Sequence, residues 1–313
     1  MTAQPTRPTY PSNLSVQPIR PTRPIHSPNL PAYHTANNNY VSRFTTALRG
    51  LAAVARNPWL LNHVLAADAS AWQRRARAYP GLGPMGLPVA PLAHFLEALP
   101  PARRRVAPFA FGPGGSLPTD LLLLRALAAA RPGCRYFEIG TWRGESAANV
   151  AAEATRVVTL NLSAAALAAQ GGSPRYLAQH GYFSHGLPNV AHLEGDSATY
   201  DYTALGGPFD LIFIDGDHRH AAVQRDTARV FAHLVHPGTV VVWHDASTQP
   251  GQPRWEVLAG IVEGLPATAP GQLVQVSHSL CAVYLPTAVP THAPDPLPDP
   301  APWFELGLEL KMR

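Results

Sequence analysis

The sequence predicts an α/β protein with a doubly wound, mostly parallel sheet of seven strands. Two observations support this prediction. Short runs rich in valine, isoleucine and leucine alternate with helical segments between residues 119 and 285, and continuous apolar runs are typical of strands covered on both faces. Glycines and polar residues follow several of these runs directly. Ligands bind at that position, beyond the carboxyl ends of parallel strands.

The predicted strands comprise five that alternate with helices and two that form a terminal antiparallel hairpin. They are CRYFEIG (134–140), RVVTLNL (156–162), NVAHLEGD (189–196), FDLIFIDGD (209–217), TVVVWHD (239–245), QLVQVS (272–277) and LCAVYL (280–285). Apolar residues at helical spacing predict helices at 120–130, 144–154 and 218–235. Further upstream, we expect two short helices within 42–67, broken at Pro58, and one near 91–99.

Proline divides the chain into regions. Of its 34 prolines, eight lie in residues 1–31 and seven in residues 286–302. Proline lacks a backbone donor and disfavours a helix on its N-terminal side, so we expect a disordered leader at 1–41 and a Pro-rich, disordered C-terminal tail at 286–313. Between them, residues 42–118 are expected to form a helical cap, with FGPGGSLP (111–118) as a mobile gate, and residues 119–285 the ligand-binding domain.

Charge is distributed as unevenly as proline. The first 67 residues contain six arginines and no acid, so they account for the basic isoelectric point near 9.3. Single arginines among prolines form no stripe for nucleic acid, and no apolar run reaches the length of a membrane span. A transit peptide remains an alternative to a solvated leader. We expect a cytoplasmic protein that acts on a small molecule; the sequence leaves its oligomeric state open.

Two cysteines, Cys134 and Cys281, lie within predicted strands. They are too few for a disulfide scaffold or a multi-cysteine zinc site. Both are expected to be small buried hydrophobic residues.

The first predicted strand ends in a turn that suits a ligand. In EIGTWRGES (138–146), Gly140 permits a tight turn, and Gly144 opens a helix whose N–H groups favour an anion. The motifs G-x-G-x-x-G and G-x-x-x-x-G-K are absent, so NAD and ATP lose their main support. By itself, the loop is equally consistent with a simple strand-to-helix turn.

Carboxylates and histidines follow the fourth and fifth predicted strands. The fourth ends in Asp215-Gly216-Asp217-His218, and the fifth ends in His244-Asp245. A helix-capping role would explain a single acid such as Asp245, but it explains the convergence of two acids and two histidines less well. The pattern therefore indicates a site at this edge of the sheet.

Three segments together resemble the class I S-adenosylmethionine-dependent methyltransferases. They are YFEIGTWRGESAANVA, FDLIFIDGDHRHAAVQRD and HPGTVVVWHDAS, and the resemblance covers roughly residues 117–285. The nearest branch contains the metal-dependent catechol O-methyltransferase-like enzymes and the bacterial sugar and antibiotic O-methyltransferases. The resemblance implies a Rossmann-like methyltransferase fold and S-adenosylmethionine as cofactor. It also implies methyl transfer to a hydroxyl of a small metabolite or sugar, with help from Mg²⁺ or Mn²⁺.

The resemblance also assigns roles to individual residues. Those implied to bind the cofactor are Glu138, Gly140, Gly144 and Ser146 at its methionine half, Asn161 at the ribose, and Asp196 and Ser197 at the adenine. The implied metal ligands are Asp215, His244 and Asp245, and the implied catalytic residues are Asp215 and His218, with His218 as general base. Two positions depart from the pattern, because Asn161 replaces the usual acid and His244 stands where a carboxylate is usual.

The chemistry of methyl transfer agrees with these roles. Transfer from a sulfonium is an in-line displacement, so the protein supplies mainly proximity and a deprotonated acceptor. A divalent cation lowers the pKa of a hydroxyl, and a histidine that titrates near neutrality can take its proton. The alternative is a non-catalytic module that keeps the fold and recruits partners through its Pro-rich tails, an interpretation favoured by Asn161 and the length of those tails.

Overall fold

The computed structural model describes residues 38–57, 69–112, 114–295 and 304–311. These residues fall into two compact units that divide after Pro58. The first contains helix α1 (Asn38–Arg56), whose first four residues fall within the predicted leader at 1–41. The remainder of the leader, and the second helix expected after Pro58, lie outside the described residues.

The second unit is built around an eight-stranded sheet. Its strands are β1 (Val89–Ala90), β2 (Arg135–Ile139), β3 (Arg156–Asn161), β4 (Val190–Glu194), β5 (Leu211–Ile214), β6 (Val240–Trp243), β9 (Gln272–Val276) and β10 (Ala282–Leu285), with a separate hairpin of β7 (Ser247–Gln249) and β8 (Gln252–Pro253). The order across the sheet is β1-β9-β10-β6-β5-β2-β3-β4. Every neighbouring pair is parallel except the two that β10 makes. The mostly parallel α/β fold is thereby confirmed.

The count of seven strands was wrong by one. Strand β1 is two residues long, too short for any alternating pattern, and lies in a segment rich in proline and glycine that predicts loops. It is held by β9, since the backbone N–H of Gln275 donates to the carbonyl of Pro88 over 2.9 Å and that of Ser277 to Ala90 over 3.0 Å.

Helices cover both faces of the sheet. They are α2 (Ala69–Ala76), α3 (Leu92–Leu96), α4 (Pro118–Ala129), α5 (Glu145–Ala151), α6 (Ala164–Ala169), α7 (Pro174–Leu177), α8 (His220–His233) and α9 (Trp255–Gly264). Helices α3, α4, α5 and α8 confirm the four predicted between residues 91 and 235, most of them with shorter bounds. None of the described helices combines the length and the apolar character that a membrane crossing needs.

Two buried clusters hold these layers together. Successive strand residues point to opposite faces, so Phe137 belongs to the cluster under α8 and α9, whereas Tyr136 belongs to the cluster under α4 and α5. Cys134 and Cys281 are fully buried in the second cluster, as predicted.

Two helices within the predicted cap at 42–118 pack on opposite faces of the sheet. Helix α2 packs on α9, while Leu92 and Phe95 of α3 are buried in the cluster on the other face of the sheet. Residues 69–99 therefore contribute to both faces. An apolar pattern reveals that a helix is buried on one side, but it does not reveal which surface covers it.

The segment after residue 286, expected to belong to a disordered tail, makes hydrogen bonds with the body of the protein. Val89 and His292 exchange two backbone hydrogen bonds of 2.9 Å, and the N–H of Val289 donates to the side chain of Gln272 over 2.8 Å. Residues that stand between prolines keep their N–H groups, and here these groups pair with the body. Residues 304–311 have no regular structure, and Leu306, for example, is exposed.

Candidate active site

The site lies at the carboxyl edge of the parallel strands. Strand β2 is central, with β3 on one side and β5 on the other, so the chain order reverses between β2 and β5. Open α/β sheets bind ligands at such a switch point. Residues following β2, β3, β5 and β6 meet there, as the sequence predicted.

Two glycines press the loop after β2 against its neighbours. Gly140 has a φ of 90°, and a Cβ at this position would collide with the backbone carbonyl of Asp215. Gly144 has a φ of 77°, and a Cβ there would collide with Ser184. Both positions therefore require glycine, for backbone conformation and for space. The loop is thereby brought into direct contact with the end of β5.

Glu138 is a buried carboxyl group with one oxygen unused. Its Oε2 accepts hydrogen bonds from the hydroxyls of Tyr136 (2.6 Å) and Ser146 (2.8 Å), whereas Oε1 has no partner within the described structure. Burial raises the pKa of Glu138 to about 8, although the two hydroxyls act in the opposite direction. Oε1 is therefore a binding point for a cationic or hydrogen-bonding group of a ligand. Ser146, expected at the cofactor carboxylate, already donates to Glu138.

The same loop contains residues that the sequence analysis did not single out. Trp142 has a positive φ of 36° and a buried indole N–H without a partner in the described part of the chain. The Arg143 guanidinium lies 4.3 Å from the centre of the Trp142 ring and donates a hydrogen bond to the Glu145 carboxylate over 2.9 Å. Glu145 in turn accepts from the N–H of Ala110 over 2.5 Å. This contact ties the chain just before the predicted gate to α5.

Asn161 occupies the end of β3 with its amide nitrogen already engaged. Nδ2 donates to the carbonyl of Leu162 over 2.9 Å and lies 3.1 Å from Nδ1 of His180. Its Oδ1 accepts from the N–H of Thr141 over 3.5 Å, a long contact. An acid at this position would offer two acceptor oxygens to a diol, whereas Asn161 offers one.

The two residues expected at the adenine bond within the structure itself. Asp196 is exposed and accepts from the N–H of Ala198 over 2.8 Å. The hydroxyl of Ser197 donates to the buried carboxylate of Asp226 over 2.9 Å. Both residues lie in the loop after β4, but each side chain is already hydrogen-bonded within the protein.

The residues after β5 and β6 form one cluster. Nδ1 of His244 lies 3.2 Å from Oδ1 of Asp215 and 3.7 Å from Oδ2 of Asp245, and one ligand atom from each residue falls within 4.8 Å of the others. Nε2 of His218 lies 3.1 Å from Oδ2 of Asp245. All four residues predicted at these two strand ends are thus brought together.

A fifth member of this cluster, Asp120, was missed. It lies in the first turn of α4 and is fully buried, with Oδ2 3.2 Å from Nε2 of His244. Oδ2 also accepts from the N–H of Leu117 (2.7 Å), and Oδ1 accepts from that of Leu280 (2.9 Å). The only signal in the sequence was an acid in the first turn of a helix, and such an acid is explained by capping alone.

The cluster favours a positive charge at its centre. Burial by itself would lower the pKa of His244, but Asp215 and the hydrogen bonds with Asp120 and Asp245 raise that pKa well above its usual value. Burial would raise the pKa of Asp245, yet His244, His218 and Arg254 hold it below the usual range. An imidazolium or a metal cation would satisfy the same carboxylates.

The donor set fits a divalent cation. Two carboxylates and one imidazole would admit Mg²⁺ and suit Mn²⁺ or another transition metal at least as well. A histidine that ligates a metal typically donates its other ring N–H to a carboxylate. Asp120 stands in that second position. The mixed His/Asp set implied by the sequence is therefore chemically consistent in three dimensions.

Comparison with known proteins agrees with this geometry. Residues 137–246 match the family described as a methyltransferase domain. This segment includes Glu138 with its loop, as well as Asp215, His244 and Asp245, so the resemblance to methyltransferases is confirmed over these residues. The sequence matches no curated protein closely enough to indicate a relationship.

Among solved structures, the chain is similar to three methyltransferases. The amino pentose methyltransferase CalS10 from Micromonospora echinaspora is 27% identical over 39% of this chain and 47% of its own, with a TM-score of 0.29, so the similarity spans about half of CalS10. TomG, an O-methyltransferase from Streptomyces achromogenes, is 22% identical over 62% of this chain and 88% of its own (TM-score 0.39). PaMTH1 from Podospora anserina is 17% identical over 62% and 86% (TM-score 0.41).

Proposed function

We propose that this protein is an S-adenosylmethionine-dependent O-methyltransferase that methylates a small hydroxylated metabolite or sugar, assisted by a divalent cation. The observation that supports it best is the contact between the two halves of the site. Gly140, in the loop beside Glu138, lies against the backbone of Asp215, which begins the Asp/His cluster. A cofactor on the loop and an acceptor on the cluster would therefore be neighbours.

The loop supplies the binding elements for the amino acid half of the cofactor. Oε1 of Glu138 is a buried, unpartnered oxygen, suited to the ammonium group of a methionine. Gly140 lets the ligand approach the backbone, and the N-terminus of α5 would favour the carboxylate of the methionine. Bound S-adenosylmethionine would supply an activated methyl group, and the protein would contribute orientation and exclusion of water.

The cluster supplies the acceptor half of the reaction. Asp215, His244 and Asp245 would hold the cation, which would lower the pKa of the acceptor hydroxyl. Nε2 of His218 is directed at Asp245 over 3.1 Å, so its Nδ1 is the nitrogen that remains to take the hydroxyl proton. We further propose that the protein is cytoplasmic and that its methyl acceptor is a small molecule, not a nucleic acid.

Two experiments test this proposal. Titration calorimetry measures the binding of S-adenosylmethionine, and an activity assay measures methyl transfer to a panel of hydroxylated sugars and phenols with and without Mn²⁺. We expect cofactor binding in the micromolar range and transfer that Asp215→Ala abolishes. Asp201→Asn is a matched control, because Asp201 is an exposed acid that bonds only within its own turn. Absence of cofactor binding at millimolar ligand would contradict the proposal. Binding without transfer to any acceptor would favour a non-catalytic module instead.

A further inference from the structure

A cavity of about 100 Å³ lies beside the end of β3, under the segment that contains α6 and α7. Its walls include Asn161 and the apolar side chains of Leu162 and Leu193. Its polar lining includes Thr141, His180 and His192. Each of these three residues has a buried side-chain atom without a hydrogen-bond partner among the described residues: Thr141 Oγ1, His180 Nε2 and His192 Nε2.

Unpaired buried polar atoms are rare in folded proteins, and three around one cavity indicate that a polar group belongs there. The volume is large enough for several water molecules, or for part of a larger ligand that is polar on one side and apolar on the other. Mostly apolar walls with a few convergent polar groups are typical of sites for small organic molecules.

The hydrogen bonds of Asn161 determine which proton His180 carries. Nδ2 of Asn161 is a donor, which its bond to the carbonyl of Leu162 requires, and the same nitrogen lies 3.1 Å from Nδ1 of His180. Nδ1 must therefore accept, so in the neutral ring the proton is on Nε2. Burial lowers the pKa of His180, which favours this neutral form. His180 thus presents a buried N–H donor that has no acceptor among the residues the structure describes.

Asn161 stands where nucleoside-binding α/β folds place an acid. That acid follows the second strand of the parallel unit, about 20 residues after the glycine loop, and binds the ribose hydroxyls. In this chain Asn161 can offer only Oδ1, because Nδ2 is used by Leu162 and His180. A vicinal diol needs donors as well as acceptors around it. The neighbouring His180 supplies the donor, and the hydroxyl of Thr141 can act in either role.

We propose that Asn161 and His180 together bind the ribose diol of a nucleoside, in place of the missing acid. The inference rests on the proposed function, because it identifies which residues hold the adenosine half of that cofactor. Oδ1 of Asn161 accepts from one hydroxyl, and Nε2 of His180 donates to the other. The leucines of the same cavity offer apolar surface to the base.

The test compares S-adenosylhomocysteine with its 2′,3′-dideoxy counterpart, which lacks both hydroxyls, by titration calorimetry on the full chain. We expect the wild-type protein to bind the ribose form at least roughly tenfold more tightly, the effect of losing two hydrogen bonds. His180→Ala should weaken the ribose form by roughly three- to tenfold and leave the dideoxy form nearly unchanged, so the ratio of the two affinities falls. His233→Ala is the control, since His233 is an exposed histidine at the end of α8 and does not line the cavity.

A second measurement covers the case in which His180→Ala disturbs folding. The substitution Asn161→Asp introduces a carboxylate that binds a diol without help, so adding His180→Ala to Asn161→Asp should change the affinity less than His180→Ala does alone. Equal losses in both backgrounds would overturn the pairing of the two residues. A wild-type protein that binds both ligands equally would also overturn it and leave the proposed function standing. A protein that binds neither ligand would overturn the proposed function.

Discussion

Asp120 and His244 lie 3.2 Å apart, carboxylate oxygen to ring Nε2, although 124 residues separate them in the chain. Asp120 comes from α4, outside the segment that matches the methyltransferase family, whereas His244 directly follows β6 within it. The contact fixes the imidazole so that its other nitrogen, Nδ1, faces Asp215. A helix outside the matched segment thus orients a histidine that lies within it.

This arrangement predicts that Asp120→Asn weakens binding of Mn²⁺. An amide cannot accept from Leu117, Leu280 and His244 together, so the ring loses its anchor; comparable changes beside metal ligands cost about 10- to 100-fold in affinity. Titration calorimetry with MnCl₂ measures the effect, with Asp201→Asn as control. Because Asp120 also holds two backbone N–H groups, the thermal midpoint should be recorded for both variants. An unchanged Mn²⁺ affinity in folded Asp120→Asn protein would show that the contact is structural only.

Glu138 predicts a pH dependence of stability. Its pKa is near 4.5 when unfolded and is raised by burial to about 8 in the folded protein. Between these values the unfolded chain releases the proton and the folded chain keeps it, so the free energy of unfolding falls as pH rises from about 4.5 to 8 and then levels off. Urea unfolding at pH 5 and pH 8 should show that Glu138→Gln removes roughly 3 kcal/mol of this decline. A decline of the same size in the variant would contradict the assignment.

The same carboxyl group predicts that cofactor binding releases a proton. At pH 7 the free protein holds Glu138 mostly protonated, and an ammonium group at Oε1 would favour the carboxylate. Calorimetric titration with S-adenosylmethionine in buffers of different ionisation enthalpy should show release of close to one proton per site. In Glu138→Gln the heat of binding should not depend on the buffer through this group. Proton uptake in the wild-type protein would argue against Glu138 as the partner of the ammonium.

Gly140 and Gly133 allow the cost of a positive φ to be separated from the cost of a steric clash with an added Cβ. Both have positive φ, 90° and 75°, but a Cβ on Gly140 would meet Asp215, whereas one on Gly133 would meet nothing within 4 Å. Gly133→Ala should therefore cost only the conformational strain, about 1 kcal/mol. Gly140→Ala should cost several times more and abolish binding of S-adenosylhomocysteine. Thermal unfolding and calorimetry distinguish the two variants, and equal effects would show that the loop can move away from β5.

The sequence was sufficient to predict those features of the fold and site that depend on a local pattern of residues. Continuous apolar runs predicted seven strands, and the polar residues that follow β5 and β6 predicted the Asp215, His218, His244 and Asp245 cluster, because parallel strands end at one edge. It was insufficient where position depends on distant packing. Strand β1 exists only because β9 offers it a partner, and the contacts of Asp120 and His180 join segments that no periodicity relates.

The docked stretch of the tail has a consequence for association. Strand β1 is an edge strand of the sheet. The N–H and the carbonyl of Val89 are both hydrogen-bonded to the backbone of His292. Another chain would need these two groups in order to add a strand to this edge. The segment around His292 therefore blocks strand addition at this edge of the sheet. A chain shortened to residue 285 would leave the edge exposed, and a strand from a second copy could then pair with β1.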